Sequence, residues 1–368
     1  PGTGKTYSSA NIIIELMRSG KKVGVTSNSH EAIKTLLKAI EQQAKDQDFE
    51  FSGMRKAKSS DKYDWKFIKD ITVSKPLNMD DYSLYAGTSW FFVDPRMNKA
   101  LDYLFIDEAG QVALGTTIAN ATSAKNLVLI GDQMQLSQPM RAKHEGYARM
   151  SSLDFILEDK DTISADRGIF LNTTRRLNNK ICDFISASFY DSRLTSDPIT
   201  DTRSVNLKLD PIKNEGLFYV PIEHTGCSQR SDEEADLVEK IYNKIINKEF
   251  KVNKNTGKIS VKDIMVVAPY NAQANNIRER LKKKFKEDVR VGTIDLFQGQ
   301  EAKVVLISMT TSDVESLPRH KDFFFSRNRL NVAISRAECV AIIIFNENLL
   351  LASASSIKEM KLMNSFCK

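Results

Sequence analysis

The chain has 368 residues, 27% charged and 41% hydrophobic, and 53 basic against 47 acidic side chains give it a net charge of +6. That length holds about two domains at roughly 100–200 residues each, and the composition is that of a globular protein, which excludes a disordered tail. No apolar run approaches the roughly 18–20 residues of a membrane span, and no basic-then-apolar leader opens the chain. Cys182, Cys227, Cys339 and Cys367 form no CxxC clip, and His30, His144, His224 and His320 are equally scattered. A disulfide framework and a zinc site are therefore not expected, and a reducing interior is.

Taken in chain order, short β-branched runs alternate with amphipathic helices. Strands are predicted over 22–26, 103–106, 127–130, 217–220, 264–268, 304–309 and 340–345. Helices are predicted over 5–19, 31–44, 178–190, 232–247 and 272–286. In the second helix Ile33, Leu36, Leu37 and Ile40 share one stripe, and Ser29 precedes it as N-cap. Near-continuous apolar strands between helices imply parallel sheets covered on both faces, in two blocks, 1–165 and 166–368. The stretch 42–81 is polar and poorly periodic and reads as an insertion or surface excursion; 191–214 is also irregular. Trp90 and Phe91, two aromatics after a strand, read first as core and second as base-stacking groups. Residues 251–290 carry eleven Lys/Arg against four Asp/Glu. The densest part, Arg278 to Lys286, reads as a solvated helix face before a nucleic-acid track.

Two motifs carry chemistry. Pro1-Gly2-Thr3-Gly4-Lys5-Thr6 runs into a helix and is the end of GxxxxGK[ST]. Its glycines let backbone N–H groups approach phosphate, its Lys meets the β/γ charge, and its Thr hydroxyl suits Mg²⁺. The leading glycine and the strand before it would lie upstream of Pro1. About a hundred residues on, Leu104-Phe105-Ile106-Asp107-Glu108 is an apolar strand ending in two carboxylates. Asp107 would hold the Mg²⁺ shell, and Glu108 would polarise the attacking water.

Three further strings follow in order: Gly131-Asp132-Gln133-Met134-Gln135-Leu136, then Val291 to Glu301 (VGTIDLFQGQE), then Asn328 to Ala337 (NRLNVAISRA). Together with the first two they resemble motifs I, II, III, V and VI of superfamily 1 helicases, over nearly the whole chain. DEAGQ, GDQMQL and RLNVAISRA are similar to the 5′→3′ branch that contains the nonsense-mediated-decay helicase and the Okazaki-processing nuclease-helicase. The stretch from Arg167 to Leu194 is similar to bacterial members, in which a RecB-like nuclease often lies upstream.

The resemblance implies two tandem RecA-like P-loop domains, α/β with parallel sheets, with ATP in the cleft between them and single-stranded nucleic acid, DNA before RNA, crossing both. It implies that Gly2, Thr3, Gly4, Lys5 and Thr6 hold phosphate and Mg²⁺, that Asp107 and Glu108 are the Walker B pair, and that Gln135 senses the γ-phosphate. Arg176 and Arg336 would reach that phosphate, and Gly299 and Glu301 would approach the nucleotide. Ser27 and Asn28 (motif Ia), Thr88 (motif Ic), Pro269, Tyr270 and Thr293 would touch the strand. Relatives often place an aromatic on adenine where this chain has Arg175, whose guanidinium can also stack on a purine. The expected protein is a cytoplasmic, monomeric 5′→3′ helicase or translocase of bacterial type. An RNA- or RNP-remodelling ATPase of the same fold and a non-hydrolysing nucleic-acid-binding module are the alternatives.

Overall fold

The computed structural model describes residues 1–72, 81–136, 146–158, 160–313, 317, 324–354 and 356–367. They form two compact units, one of Gly4–Gln133 with 146–158 and 160–163, the other of Ser164 onward together with Pro1–Thr3 and Met134–Leu136.

The first unit is built on strands β1 (Val23–Thr26), β2 (Gly53–Lys56), β3 (Ile68–Ile71), β4 (Leu84–Ala86), β5 (Leu101–Ile106) and β6 (Ala124–Leu129). They pair in parallel in the order β3-β2-β4-β1-β5-β6. Its helices are α1 (Lys5–Arg18), α2 (His30–Asp46), α3 (Ser89–Phe92), α4 (Leu114–Ala121) and α5 (Ser152–Leu157). Alternation along the strands sorts the core into two layers. Val23, Val25, Leu84, Ala86 and Phe105 pack with Ile13, Ile14, Leu36 and Leu37 of α1 and α2. Tyr85, Leu104 and Ile106 pack on the opposite side with Phe91, Phe92 and Leu153. Ser29 caps α2 by accepting the Ala32 N–H at 3.0 Å, as its position predicts.

The expected surface excursion at 42–81 is corrected by this sheet. Residues 42–46 complete α2, and β2 and β3 are strands of the parallel sheet; residues 73–80 lie outside the described residues. Charged positions mask the pattern: Arg55 is 1% exposed, its guanidinium held by Asp70 at 2.7 Å.

The second unit carries β7 (Thr173–Thr174), β8 (Thr195–Ser196), β9 (Ser204–Val205), β10 (Gly216–Pro221), β11 (Glu249–Val252), β12 (Asn255–Lys258), β13 (Ile264–Val267), β14 (Arg290–Gly292), β15 (Ala302–Ser308) and β16 (Ala337–Phe345). Its main sheet is parallel, in the order β10-β16-β15-β13-β14. Helices α6 (Asn179–Phe189), α7 (Asp232–Ile245), α8 (Asn271–Phe285), α9 (Arg327–Ile334) and α10 (Ile357–Cys367) accompany it. Met265, Val267, Val305 and Ile307 face one layer, with Ile181 and Ile185 of α6. Val266, Val304, Leu306 and Ile342 face the other, with Val238 of α7 and Ile277 of α8. A buried polar chain ties the end of β15 to α7. The His224 ring lies 2.8 Å from Ser312 Oγ and 3.1 Å from Glu234 Oε1, and the Thr310 N–H donates to Glu234 Oε2 at 2.8 Å. No helix among the described residues is long and apolar enough to cross a membrane.

Candidate functional site

In parallel α/β sheets ligands gather outside the carboxyl ends of the strands. In the first unit that end reads, from β2 across the sheet, Lys56 at the end of β2, Thr88 after β4, Ser27 and Asn28 after β1, Asp107 and Glu108 after β5, and Asp132 after β6. Six residues that the sequence assigns to phosphate, metal, water or strand chemistry (Ser27, Asn28, Thr88, Asp107, Glu108 and, at the start of α1, Lys5) therefore belong to one unit.

Gly4 caps α1 in the left-handed region at φ 77°, which lets the chain turn into the helix at Lys5. Thr6 is half-buried in the first turn. The Lys5 ammonium lies 3.9 Å from Asp132 Oδ2, and Asp132 is 8% exposed. The Asp107 N–H donates to Thr26 O at 2.9 Å, and its carboxylate accepts the Glu108 N–H at 3.0 Å. Burial pushes the Asp107 carboxyl up to about 6; the Glu108 charge adds to the rise, and the Glu108 N–H and Lys5 oppose it. A carboxylate held this way gains more than a solvated one from a nearby cation. Glu108 leaves the strand in the left-handed region at φ 52°. The Ala109 N–H then reaches Ile130 O at 2.8 Å, locking the ends of β5 and β6 together. The approach is so close that a Cβ on Gly131 would lie 3.0 Å from the Ala109 nitrogen. Asp132 is the residue the sequence reading left without a role. The parallel register Ile106↔Leu129 sets the residues after β6 beside Asp107 and Glu108, and the sequence signal for it was an Asp two residues beyond a predicted strand.

The proposed strand contacts of this unit differ in exposure. Asn28 is exposed and donates to Gln111 O, Ser27 is buried at 2%, and Thr88 is half-buried at the start of α3. Phe91 is core, at 5%. Trp90 is not: the sequence placed it first in the core, and it is 84% exposed. A single turn of helix cannot bury three consecutive aromatics on one face, and Phe91 and Phe92 take the inward positions.

In the second unit Arg176 Nε donates to Glu301 Oε2 at 2.7 Å, bringing two assigned residues together. Arg175 is largely exposed; its side chain pairs with Asp197 at 3.1 Å, and its N–H donates to Gly2 O at 2.9 Å. Gln135 accepts from Asn328 through its carbonyl. Arg336 is 1% exposed and donates to Val332 O and Gln300 O, each at 3.1 Å. Gly299 is exposed on the turn before Glu301, and Thr3 is half-buried. Pro269 and Thr293 are half-buried, whereas Tyr270, 5% exposed, sits in the core. The basic run on α8 is ion-paired within the unit: Arg280 with Asp232 at 2.6 Å, Lys282 with Asp288 at 2.8 Å, and Lys284 with Glu239 at 3.1 Å. Among the described residues no three His, Cys, Asp or Glu side chains converge to hold a metal.

A P-loop helix start, paired carboxylates on the neighbouring parallel strands and a second parallel-sheet unit define a P-loop NTPase with tandem RecA-like units. Comparison with known proteins narrows the class. The chain belongs to the AAA domain family, whose model matches residues 152–348, and its relatives support membership of the superfamily 1 helicases, in the branch that contains the nonsense-mediated-decay helicase. The model for the helicase domain of RNA cytidine acetyltransferase NAT10/TcmA matches residues 1–138. The chain is 26% identical to the DNA polymerase alpha-associated DNA helicase A of Saccharomyces cerevisiae, over 83% of its own length and 47% of that protein. It is 30% identical to the Schizosaccharomyces pombe protein of the same name, over 68% and 38%. It is 24% identical to the S. pombe DNA replication ATP-dependent helicase/nuclease dna2, over 98% and 27%. The chain thus spans less than half the length of these relatives. A solved arterivirus nonstructural protein 10 (helicase) in complex with DNA shares the fold, with a TM-score of 0.50 at 13% identity, covering 99% of this chain and 61% of that one.

Proposed function

We propose that the chain is the ATP-driven motor of a helicase or translocase that moves 5′→3′ along single-stranded nucleic acid, with DNA as the favoured strand. The observation that supports it is the row of groups at the carboxyl end of the first unit's sheet. There a cationic helix start, a dehydrated carboxylate and a second carboxylate turned off the strand end stand beside candidate strand contacts. In this reading the functional domains are 1–165 and 166–368. Gly2, Thr3, Gly4 and Lys5 receive the phosphates of ATP. Thr6 and Asp107 would hold Mg²⁺, a cation that keeps several waters and takes few protein oxygens. Bound there, the ion would offset charge on the transferred phosphoryl group. Glu108 orients the attacking water, Gln135 senses the γ-phosphate, and Arg176 and Arg336 stabilise its charge. Arg175 stacks on the base, and Gly299 and Glu301 approach the nucleotide. Asn28, Thr88, Pro269 and Thr293 track the strand, while Ser27 and Tyr270, whose side chains are buried, shape the loops that carry these contacts. The DNA helicases among the relatives favour DNA, and the helicase/nuclease relative extends the reading to a nuclease domain elsewhere in the full-length protein.

The test is ATP turnover by the full-length protein with single-stranded DNA or with RNA of the same sequence. DNA should stimulate more. Lys5→Ala should abolish tight ATP binding. Glu108→Gln should keep binding and lower turnover by at least about a hundredfold, the scale of general-base catalysis. Normal turnover by Glu108→Gln sinks the assignment of the water-polarising carboxylate. Equal or greater stimulation by RNA moves the substrate to RNA, and nucleotide binding without any turnover makes the chain a binding module.

A further inference from the structure

Trp90 is the feature of the first unit that its fold does not use. Its neighbours Phe91 and Phe92 are buried, 5% and 0% exposed, and anchor α3 against Tyr85 and Leu104. The turn is pinned again by the Asn120 amide, which donates to Ser89 Oγ at 3.0 Å, and by the Phe91 N–H on Thr88 O at 2.8 Å. The indole is thus held out to solvent, 84% exposed, on a backbone with little freedom to fold it away. Tryptophan is usually well covered in folded proteins, so a rigidly displayed one is a candidate contact group where its neighbours along the chain are themselves candidate contacts.

Its position supplies the occupant. Trp90 lies two residues beyond Thr88 at the carboxyl end of β4, and β4 pairs with β1 on one side and β2 on the other. Next in the row on the β1 side is the exposed Asn28. On the β2 side is the exposed Lys56, whose ammonium lies 5.8 Å from the centre of the Phe91 ring. An exposed aromatic at the end of one strand and a cation at the end of the neighbouring strand, continuous with the proposed strand contacts, are the combination by which proteins hold single strands without reading sequence: stacking for a base, charge for the backbone.

We propose that Trp90 is a base-stacking platform of the first unit, holding one nucleobase of the single strand while Lys56 meets the adjoining phosphate. This rests on the nucleic-acid motor reading above. Stacking neutralises no phosphate, so Trp90 should set affinity without changing its salt dependence, whereas loss of Lys56 should lower the slope of log K against log salt by about 0.7.

The experiment titrates the full-length protein with oligothymidylate and with an abasic oligomer of equal length. Trp90→Ala, a change at a solvent-exposed position, should fold normally and weaken oligothymidylate binding about tenfold, with the salt slope unchanged. Trp90→Phe should recover most of that loss. The wild-type preference for oligothymidylate over the abasic oligomer should shrink in Trp90→Ala. The part of the fluorescence quenching on binding that comes from the Trp90 indole should be lost in Trp90→Phe. Wild-type affinity in Trp90→Ala, or an undiminished preference over the abasic oligomer, overturns the platform while leaving the motor reading intact. Failure of the wild type to bind any single strand overturns both.

Discussion

Arg176 and Arg336 carry the same proposed role but are held in opposite ways. Arg176 is paired with Glu301, which is half-exposed, so its removal should hardly change folding; exposed pairs contribute about 0–1 kcal/mol. Arg336 is buried, and truncating it would remove its bonds to the carbonyls of Val332 and Gln300 and leave a gap in the core, at a cost of about 1–3 kcal/mol. From the sequence the two arginines look equivalent, because Ser-Arg-Ala shows no burial. The structure predicts that Arg176→Ala melts like the wild type while Arg336→Ala melts well below it. Turnover, read below both midpoints, should fall about a thousandfold or more for each if they stabilise the γ-phosphate. A kcat within about threefold of wild type for both, near 0.7 kcal/mol, would remove both from that role.

At the scale of the element, legibility followed apolar pattern. The strands that end in Thr26, Ile106 and Val267 contain short apolar runs (VGV, YLFI and IMVV), and sequence reading placed them within a few residues. Motif chemistry located Lys5, Asp107 and Glu108 because each follows such a run or opens a helix. Strands β2 and β3 were hidden because GMRK and IKDI place charge inside a sheet. That charge is affordable only through carboxylates six and fifteen residues away, Asp61 at 3.2 Å and Asp70. Arg55, 1% exposed, bonds Asp70 at 2.7 and 2.9 Å, and Asp70 also accepts the Tyr63 N–H at 2.8 Å and the Trp65 indole N–H at 3.1 Å. Burial alone would raise the Asp70 carboxyl; the Arg55 pair and these donors outweigh it and hold it below the usual carboxylate range. A carboxyl depressed in the folded state stabilises fully above its unfolded value near about 4, and that contribution is lost as pH falls through the folded value. Urea melts should therefore show stability dropping below about pH 4. Asp70→Asn should cost about 3–5 kcal/mol at pH 7, by leaving a buried guanidinium short of its partner, and should flatten the acid limb. A loss under about 1 kcal/mol would mean that the pair does not hold β2 to β3.

For the whole molecule the question is where a net charge of +6 does its work. The densest basic run lies on α8, whose Ile277 and Leu281 face inward and are buried. The basic side chains of the flanking face meet Asp232, Glu239 and Asp288 of their own unit. A lysine already paired with a carboxylate releases few counterions when a phosphate approaches, so the run adds little to strand binding despite its density. Reversing Lys282, Lys283 and Lys284 to glutamate together should leave affinity for single-stranded DNA within about twofold at physiological salt. The slope of log K against log salt should stay within error of wild type. If instead all three met phosphates, the slope would fall by about 2, at about 0.7 per contact on a single strand. The Lys56 contact predicts a drop of about 0.7 from one substitution on the first unit. Measured side by side, the two slopes decide whether the strand is held by the dense basic helix or by the sparse row at the end of the first sheet.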